Sequence, residues 1–459
     1  MNKTKVKMIE LFYILLAILN VVVSIIFGIQ YLEYVLFLYI LVCLITKKIK
    51  ADEFLIYALF IPNKYLQFLA IPMYLFSTGN LMSNHLKWRE FLFIFYITIV
   101  STVNCLIYRG FIVGTVFQVA VYYFIFALIN SFRKKFELRK MLVILDKMFV
   151  LQLITSLIEI VYYRQLGDSI TGTLISAHYL GIFLMVYLYF VILNWLAKKK
   201  VMSIIRVMLI LALLVASDAK HVVLIFVFSY LVVRLINRLR IRNKLTLLVS
   251  AMTFFVIASV FVLSKNMINW NGTVKKLINI YIYSSQYNKK YEFFLRTFKE
   301  MLGLNGFFGF GVGQFGSQIS ITLSKGIIYD WRPQYSIFHY ATIPYANAIK
   351  GLMTEWYTIY GISESSMVLG YPLVSFIGLL AELGIIGYIW LLQIFDRRFR
   401  HSDITFLLAF FMLTIFDTYF EIPCVFVLIL IATFANGEGK NNLEVKYNKQ
   451  KFAREFSIK

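Results

Sequence analysis

Cysteine, proline and acidic residues are scarce in this sequence. Its 459 residues include 3 Cys, 6 Pro and 23 Asp or Glu. All three cysteines lie inside apolar runs without metal-ligand spacing, so neither a disulfide framework nor a metal site is predicted. An internal repeat is also lacking, which disfavours a transporter built from two related halves.

Apolar and aromatic residues are abundant instead. The chain is 60% hydrophobic, contains 44 Phe and 31 Tyr, and has a mean hydropathy of +0.76. These values lie far from the composition of soluble domains. Because a helix of about 20 apolar residues crosses a bilayer, the sequence predicts an all-α polytopic membrane protein with about 12 to 14 transmembrane helices.

The net charge of +23 comes from Lys and Arg residues placed mostly in short connectors between apolar runs. In a membrane protein such residues orient the helices, so no nucleic-acid partner is needed to explain them. The alternation of basic and less basic connectors predicts that both termini lie in the cytoplasm. No cleavable signal peptide is expected at the first apolar run.

One interval leaves the helix count open. The apolar stretch 54–76 is interrupted by Pro62 and Pro72, and it is long for one crossing but short for two. A single crossing would place SFRKKFELRK (131–140) outside the membrane, against the positive-inside tendency. Two short or tilted helices, or a re-entrant pair, keep that segment inside.

The chain is expected to have four parts. Residues 1–264 would form N-terminal transmembrane helices, and residues 265–369 a long extracytoplasmic loop with the catalytic groups. Residues 370–435 would form C-terminal transmembrane helices, and residues 436–459 a basic cytoplasmic tail.

Four polar segments are predicted on the external side, where ionisable groups near membrane depth are costly and therefore functional candidates. The first is SDAKH (217–221) between two apolar helices. Lys220 suits a phosphate as a point charge, and His221 suits either phosphate binding or proton transfer. Three ionisable groups in so tight a turn favour function over a solvated hairpin.

The second segment contains Arg164 and Asp168, beyond a helix that carries Glu159. Arginine suits phosphate through its planar fork of donors, but interfacial snorkelling explains it equally well, and both interpretations stay open. Glu159 is expected to pair with another helix.

The third segment is the glycine-rich run GFFGFGVGQFG (306–316), which follows the amphipathic pattern YEFFLRTFKEML (291–302). Gly309, Gly311 and Gly313 allow tight turns or a close backbone approach. The run lacks the Gly-Lys-Ser/Thr of a P-loop and does not follow a strand, so a packing turn is favoured over an anion site.

The fourth segment, DWRPQYSIFHY (330–340), places Arg332 and His339 among aromatic residues. Such residues suit both sugar faces and membrane interfaces, so their presence does not separate a glycan site from interfacial anchoring. His339 is a candidate general base.

Four motifs, taken in chain order, resemble signatures of the O-antigen polymerase and ligase superfamily, the Wzy-type polysaccharide polymerases and WaaL-type ligases. The motifs are GTLISAHYLGIFL (172–184), LVASDAKHVVLIF (214–226), RTFKEMLGLNGFFGFGVGQF (296–315) and LLAELGIIGYI (379–389).

The resemblance implies a GT-C-like fold and a metal-independent, inverting glycosyl transfer without cofactor, outside the cytoplasmic membrane of a bacterium. Donor and acceptor would be undecaprenyl-diphosphate-linked oligosaccharides within membrane lipid, and a chain-length regulator and a flippase would be partners. The product would be a capsule, O-antigen or exopolysaccharide.

The resemblance also implies roles for individual residues. Lys220 and Arg296 match basic positions of the family, and with Arg164 and Arg332 they would bind the diphosphate, where positive charge stabilises the leaving group. The histidine that relatives carry about ten residues before Glu-Leu-Gly is missing from SSMVLGYPLVSF (365–376).

Without that histidine, the candidate catalytic bases are His339, Glu364 and His221. The alternatives to a polymerase are a ligase relative, a lipid-linked oligosaccharide flippase, and a structural or signalling membrane protein.

Overall fold

The computed structural model describes a helical protein, and none of the described residues forms a strand. The described residues are 3–28, 31–79, 86–108, 110, 112–135, 138–198, 201–237, 243–253, 285–315, 317, 342–349, 375–400, 402, 404–415 and 419–434. Three predicted site residues lie outside them, namely Arg332, His339 and Glu364.

The helices are α1 (Lys3–Phe27), α2 (Leu32–Ile45), α3 (Ala51–Leu59), α4 (Lys64–Ser77), α5 (Trp88–Ile107), α6 (Ile112–Lys135), α7 (Leu138–Tyr163), α8 (Ala177–Lys198), α9 (Val201–Ala216), α10 (Lys220–Asn237), α11 (Lys244–Thr253), α12 (Ser285–Glu300), α13 (Leu304–Phe308), α14 (Ile343–Ile349), α15 (Ser375–Arg398), α16 (Thr405–Leu413) and α17 (Pro423–Phe434).

Six helices in the described part are long and apolar enough to cross a membrane: α1, α5, α6, α7, α10 and α15. Five shorter apolar helices accompany them: α2, α8, α9, α11 and α17. Large apolar side chains on α1, α2, α5, α9 and α10 face outward. Exposing these side chains to water would be costly, whereas contact with the hydrocarbon core of a bilayer carries no such cost. The protein is therefore a multi-pass membrane protein.

Ion pairs bring basic connectors together at one end of the bundle, here called the basic end. Glu10 of α1 pairs with Lys147 near the start of α7, and Asp146 pairs with Arg206 near the start of α9 at 3.1 Å. At the same end, Glu90 at the start of α5 pairs with Arg398 at the end of α15. The loops that follow α7 and α9 consequently lie at the opposite end, here called the polar end (residues 164–176 and 217–221).

The interval with two prolines forms two short helices, α3 and α4, of 9 and 14 residues. At 1.5 Å per residue they measure about 14 and 21 Å, shorter than a hydrocarbon core of about 30 Å. Gln67 Nε2 donates to the carbonyl oxygens of Leu59 and Ile61, at 2.9 and 2.8 Å, and so satisfies acceptors at the break. Asn63 caps α4 and donates to Glu33 at 2.9 Å. A pair of short helices was one of the interpretations left open by the sequence.

Helix α15 lies at the centre of the candidate site. It is the most buried of the six long helices, because 78% of its apolar 18-residue stretch is buried inside the protein. Its backbone leaves the helical conformation at Gly384, where φ is 64° and ψ is 176°. Phe376 and Tyr388, on the two sides of this break, both lie in the core.

Candidate functional site

The described part of the glycine-rich run (residues 306–315), here called the glycine-rich segment, packs against the break in α15. A helix broken at Gly384 no longer supplies intrahelical donors to the carbonyl groups of the preceding turn. The N–H groups of Phe310 and Gly311 bond to these carbonyls instead, on Ala381 at 2.7 Å and on Glu382 at 3.0 Å. Two motifs that are distant in the sequence therefore satisfy each other's backbone groups.

Three glycines let this segment enter the bundle. Gly309, Gly311 and Gly313 have φ values of +83°, +94° and +76°, which L side chains rarely adopt. A Cβ atom at these positions would lie 2.3, 2.5 and 2.2 Å from backbone atoms of α15, α5 and α6, respectively. Close packing among three helices thus explains the glycines.

The carboxylate of Glu382 orders the end of this segment. It accepts hydrogen bonds from the backbone N–H groups of Gly313, Phe315 and Ser317 at 2.9, 2.8 and 3.2 Å, and its side chain is 2% exposed. Sequence reasoning used Glu382 only as a letter of a motif. The signal that could have identified it is an acidic residue inside an apolar run.

The backbone N–H groups of the glycine-rich segment donate hydrogen bonds to other parts of the protein. Besides the bonds to α15, the N–H group of Val312 donates to Ser101 Oγ at 2.8 Å, and Thr115 Oγ1 donates to the Val312 carbonyl at 3.2 Å. Asn104 Nδ2 donates to the Gly309 carbonyl at 2.7 Å. Because these N–H groups already bond to other groups of the protein, the described part of the segment does not present a row of free N–H groups to an anion.

More polar groups surround Glu382 within the bundle. Glu421, in the turn between α16 and α17, is close enough for its charge to act on Glu382. Gln118 of α6 donates from Nε2 to Glu421 Oε1 at 2.5 Å. Tyr122, one turn further along α6, is buried close enough for the charges of both carboxylates to act on it.

The polar end holds a second cluster, because two loops meet there. The N–H group of Gly167 donates to the Ala216 carbonyl at 2.8 Å, which joins the loop after α7 to the end of α9. Asp168 consequently lies near Asp218 and His221. Burial and the charge of Asp218 raise the pKa of Asp168, while His221 acts in the opposite direction.

Glu159 fixes the loop between α7 and α8. Its carboxylate accepts from the N–H groups of Thr171 and Gly172 at 2.9 and 2.8 Å and from Thr171 Oγ1 at 2.9 Å. Beside it, Gln152 Oε1 accepts from the Thr173 N–H group at 2.9 Å. The expectation that Glu159 pairs with another helix is therefore wrong: its carboxylate satisfies backbone donors of the loop that follows its own helix.

Two histidines come together at the polar end. The rings of His178, at the start of α8, and His221, at the start of α10, are 4.3 Å apart between centroids in an edge-to-face arrangement. A Cβ atom on Gly181 would lie 2.5 Å from that of Ala219, so only glycine permits this approach of α8 to α10. Sequence reasoning missed His178, because its partner lies 43 residues away.

The predicted basic residues fall into two groups. Arg164 and Lys220 are exposed on the two joined loops, and Lys220 Nζ lies 2.7 Å from Asp218 Oδ1. Arg296 lies on α12, where it pairs with Glu292 one turn earlier. Helix α12 packs against α14 and α15. The structure thus brings Arg164, Lys220 and His221 to one end and places Arg296 beside the broken helix.

A further aromatic contact connects the two clusters. Tyr179, next to His178, packs against Tyr419, two residues before Glu421, with ring centroids 5.8 Å apart. Among the described residues, no group of three His, Cys, Asp or Glu side chains is arranged to hold a metal ion.

The chain matches no protein-family model, no curated protein and no solved structure. Its functional interpretation therefore depends on the resemblance of its motifs and on the geometry of these clusters.

Proposed function

We propose that the protein is a GT-C-like glycosyltransferase that joins undecaprenyl-diphosphate-linked oligosaccharide repeat units into a surface polysaccharide. It would have about 12 to 14 transmembrane helices, one long extracytoplasmic loop and cytoplasmic termini, in the cytoplasmic membrane of a bacterium. Under this proposal the polar end faces outward.

The observation that carries the proposal is the meeting of the two loops at the polar end. The bond between Gly167 and Ala216 holds the loop with Arg164 beside the turn with Lys220 and His221. Large apolar side chains face outward on α1, α2, α5, α9 and α10, so a polar site with Arg164, Lys220 and His221 at this end of the bundle is suited to a lipid whose headgroup is a diphosphate.

The chemistry assigned to these residues is electrostatic. As the bond between the sugar and the diphosphate breaks, negative charge accumulates on the leaving phosphate. Lys220 and Arg164 would stabilise this charge, with Arg296 and Arg332 completing the site. An acceptor sugar hydroxyl attacks the anomeric carbon, and His221, His339 or Glu364 would take its proton.

Chain extension by purified protein tests the proposal. In lipid nanodiscs with lipid-linked repeats extracted from the source cells, we expect a ladder of longer glycans without nucleotide sugar or added metal. Lys220→Ala and Arg164→Ala should each lower the extension rate by about 10²-fold, the usual cost of losing one transition-state charge partner.

The matched control is Lys48→Ala, which removes an exposed lysine at the basic end. It should extend chains at the unmodified rate. Transfer of a glycan only to a different lipid acceptor would identify a ligase, and transport of the lipid across vesicles without extension would identify a flippase. Either result would contradict the polymerase assignment.

A further inference from the structure

Another enclosed glutamate, Glu33, lies in the first turn of α2, outside the clusters around Glu159 and Glu382. Its side chain is on the buried face of α2, and the residue is 5% exposed. It contacts the break between α3 and α4 through Asn63. Ionisable groups inside a membrane protein are costly, so an enclosed carboxyl group is a candidate for function.

The orientation of the Asn63 amide group fixes how it meets Glu33. Asn63 Oδ1 accepts from the N–H groups of Tyr65 and Leu66 at 3.0 and 3.2 Å, which caps the start of α4. Its Nδ2 atom therefore faces Glu33 and donates to Oε2 at 2.9 Å. Because an amide nitrogen only donates, Glu33 Oε2 is the acceptor in this bond.

Glu33 has much less support for a negative charge than Glu159. In the described part of the chain, Asn63 supplies its one hydrogen bond, and no ion pair adds to it. Glu159 is 4% exposed and accepts three hydrogen bonds, two of them from backbone N–H groups. Three donors can stabilise an enclosed carboxylate, whereas one donor does not offset the loss of water around a full charge. The dipole of α2 favours the anion, but by less than enclosure disfavours it.

The helices around Glu33 provide no described counter-charge. Helices α1 and α3 pack against α2. Asp52 and Glu53 lie in the first turn of α3, at the opposite end of that helix from the break. Lys64, the first residue of α4, lies over the ring of Tyr65, 5.4 Å from its centroid, and forms no ion pair with Glu33. The titratable side chains described on α1 to α4, besides Glu33, are Glu10, Tyr13, Tyr34, Tyr39, Cys43, Asp52, Glu53, Tyr57, Lys64, Tyr65 and Tyr74.

A second observation at this break indicates that a donor is lacking. Gln67 Nε2 and the N–H group of Asn63 donate to the same carbonyl oxygen, that of Ile61, at 2.8 and 2.7 Å. The amide group of Gln67 therefore lies beside Asn63, and its Oε1 atom is buried without a hydrogen-bond partner. The described groups at this break thus have more acceptors than donors.

We propose that Glu33 and Asn63 form a proton-binding site, in which Glu33 holds a proton on Oε1 at neutral pH while Oε2 accepts from Asn63. The ligand is a single proton taken from the solvent, and its binding converts the carboxylate into the neutral acid. The neutral acid avoids the cost of an enclosed charge and keeps the cap of α4 joined to α2. The site does not depend on the proposed glycosyl transfer.

The bound proton makes stability depend on pH. The unfolded chain exposes Glu33 to water, where glutamate has its ordinary pKa of about 4.3. The folded state binds the proton more tightly, so the resulting stabilisation is complete below that value and is lost as the pH rises. Glutamine has the shape of the protonated acid and does not titrate, so it imitates the proton-bound state at every pH.

Glu33→Gln and Glu159→Gln form a matched pair, because each replaces an enclosed carboxyl group with an amide. In detergent at neutral pH, Glu33→Gln should melt at a higher temperature than the unmodified protein, and Glu159→Gln at a lower one. The gain for Glu33→Gln should be smallest at acidic pH and should grow toward alkaline pH. A lower melting temperature for Glu33→Gln at neutral pH, or a gain that does not change with pH, would overturn the proposal.

Infrared spectroscopy detects the proton directly, through the carbonyl band of an enclosed protonated carboxyl group. At neutral pH this band should be present in the unmodified protein and in Glu159→Gln, and Glu33→Gln should lose it. Asn63→Ser keeps a side-chain oxygen that can cap α4 but removes the Nδ2 donor. It should shift the frequency of the band and raise the pH at which the band disappears.

Asn63→Ser also decides the question if Glu33→Gln does not fold. A band with the same frequency and the same pH dependence as in the unmodified protein would show that the proton is not on Glu33. The absence of any such band from the unmodified protein at neutral pH would likewise overturn the proposal.

Discussion

Glu382 Oε2 accepts a hydrogen bond from the N–H group of Gly313 at 2.9 Å, across 69 residues of sequence. The contact joins a buried carboxylate of the broken helix α15 to the last of three glycines packed against neighbouring backbones. That bond and the break at Gly384 together hold the glycine-rich segment against α15, α5 and α6.

The two glutamates of the interior cluster should respond differently to the same substitution. Glu382→Gln weakens three backbone hydrogen bonds and turns an amide donor toward N–H groups, which should lower stability by about 1–3 kcal/mol. Glu421→Gln keeps its acceptor and should cost less. Denaturant titration of both variants in detergent tests this order, and a larger loss for Glu421→Gln would refute it.

Gly311 and Gly303 form a matched pair for the role of close packing. Their φ values are +94° and +90°, but a Cβ atom on Gly311 would lie 2.5 Å from Ser101 Cα, whereas one on Gly303 would meet nothing within 4 Å. Gly303→Ala should therefore cost only the backbone strain, about 1–3 kcal/mol.

Gly311→Ala should add an overpacking cost of about 1–3 kcal/mol to that strain. The free energy of unfolding of the two variants, measured under identical conditions, provides the comparison. Equal losses would show that the segment is not held against α5 as described.

Glu159 should protect the loop after α7 from proteolysis. Glu159→Gln presents an amide group to the N–H groups of Thr171 and Gly172, and such unsatisfied donors cost about 1–3 kcal/mol. Cleavage by trypsin after the exposed Arg164 should become faster, as measured by sequencing the fragments. Thr171→Val, which removes a single hydroxyl bond, should accelerate cleavage less; identical rates in all three proteins would contradict the role of Glu159.

Asp168 should make stability depend on pH. Its pKa is raised in the folded protein, so the folded state binds this proton more tightly than the unfolded chain. The resulting stabilisation is complete below the ordinary aspartate pKa of about 4 and is lost as pH rises through the higher folded value.

Asp168→Asn removes this titration and the repulsion by Asp218. Its melting temperature relative to the unmodified protein should therefore increase from acidic to neutral pH. Gln165→Ala, a nearby exposed substitution without a titrating group, should give a curve parallel to that of the unmodified protein. A parallel curve for Asp168→Asn would mean that burial does not act on this carboxyl group.

The buried pair of Glu90 and Arg398 should show strong coupling. Both side chains are almost fully enclosed, at 2% and 5% exposure. Arg398→Met or Glu90→Gln alone leaves a buried charge or donor without its counterpart, which typically costs about 3–5 kcal/mol. The double variant should lose much less than the sum in a double-mutant cycle, whereas simple additivity would show that the two groups act independently.

The sequence determined the class of this protein and the grouping of its connectors. A run of apolar residues is a local property, and hydrocarbon requires backbone groups to be satisfied within each helix, so helices could be predicted without knowledge of their neighbours. The ion pairs Glu10–Lys147 and Asp146–Arg206 fit the predicted arrangement of the basic connectors.

Only the tertiary structure decided how the polar residues are used. The sequence showed three glycines, but not that a break at Gly384 would receive them or that Glu382 would order the segment. It marked Glu159 as costly without revealing the loop donors that it satisfies, and it gave no sign of the contact between His178 and His221. Each of these relationships depends on groups brought together by helix packing, and the distance between two side chains in a folded bundle is not encoded by any local pattern.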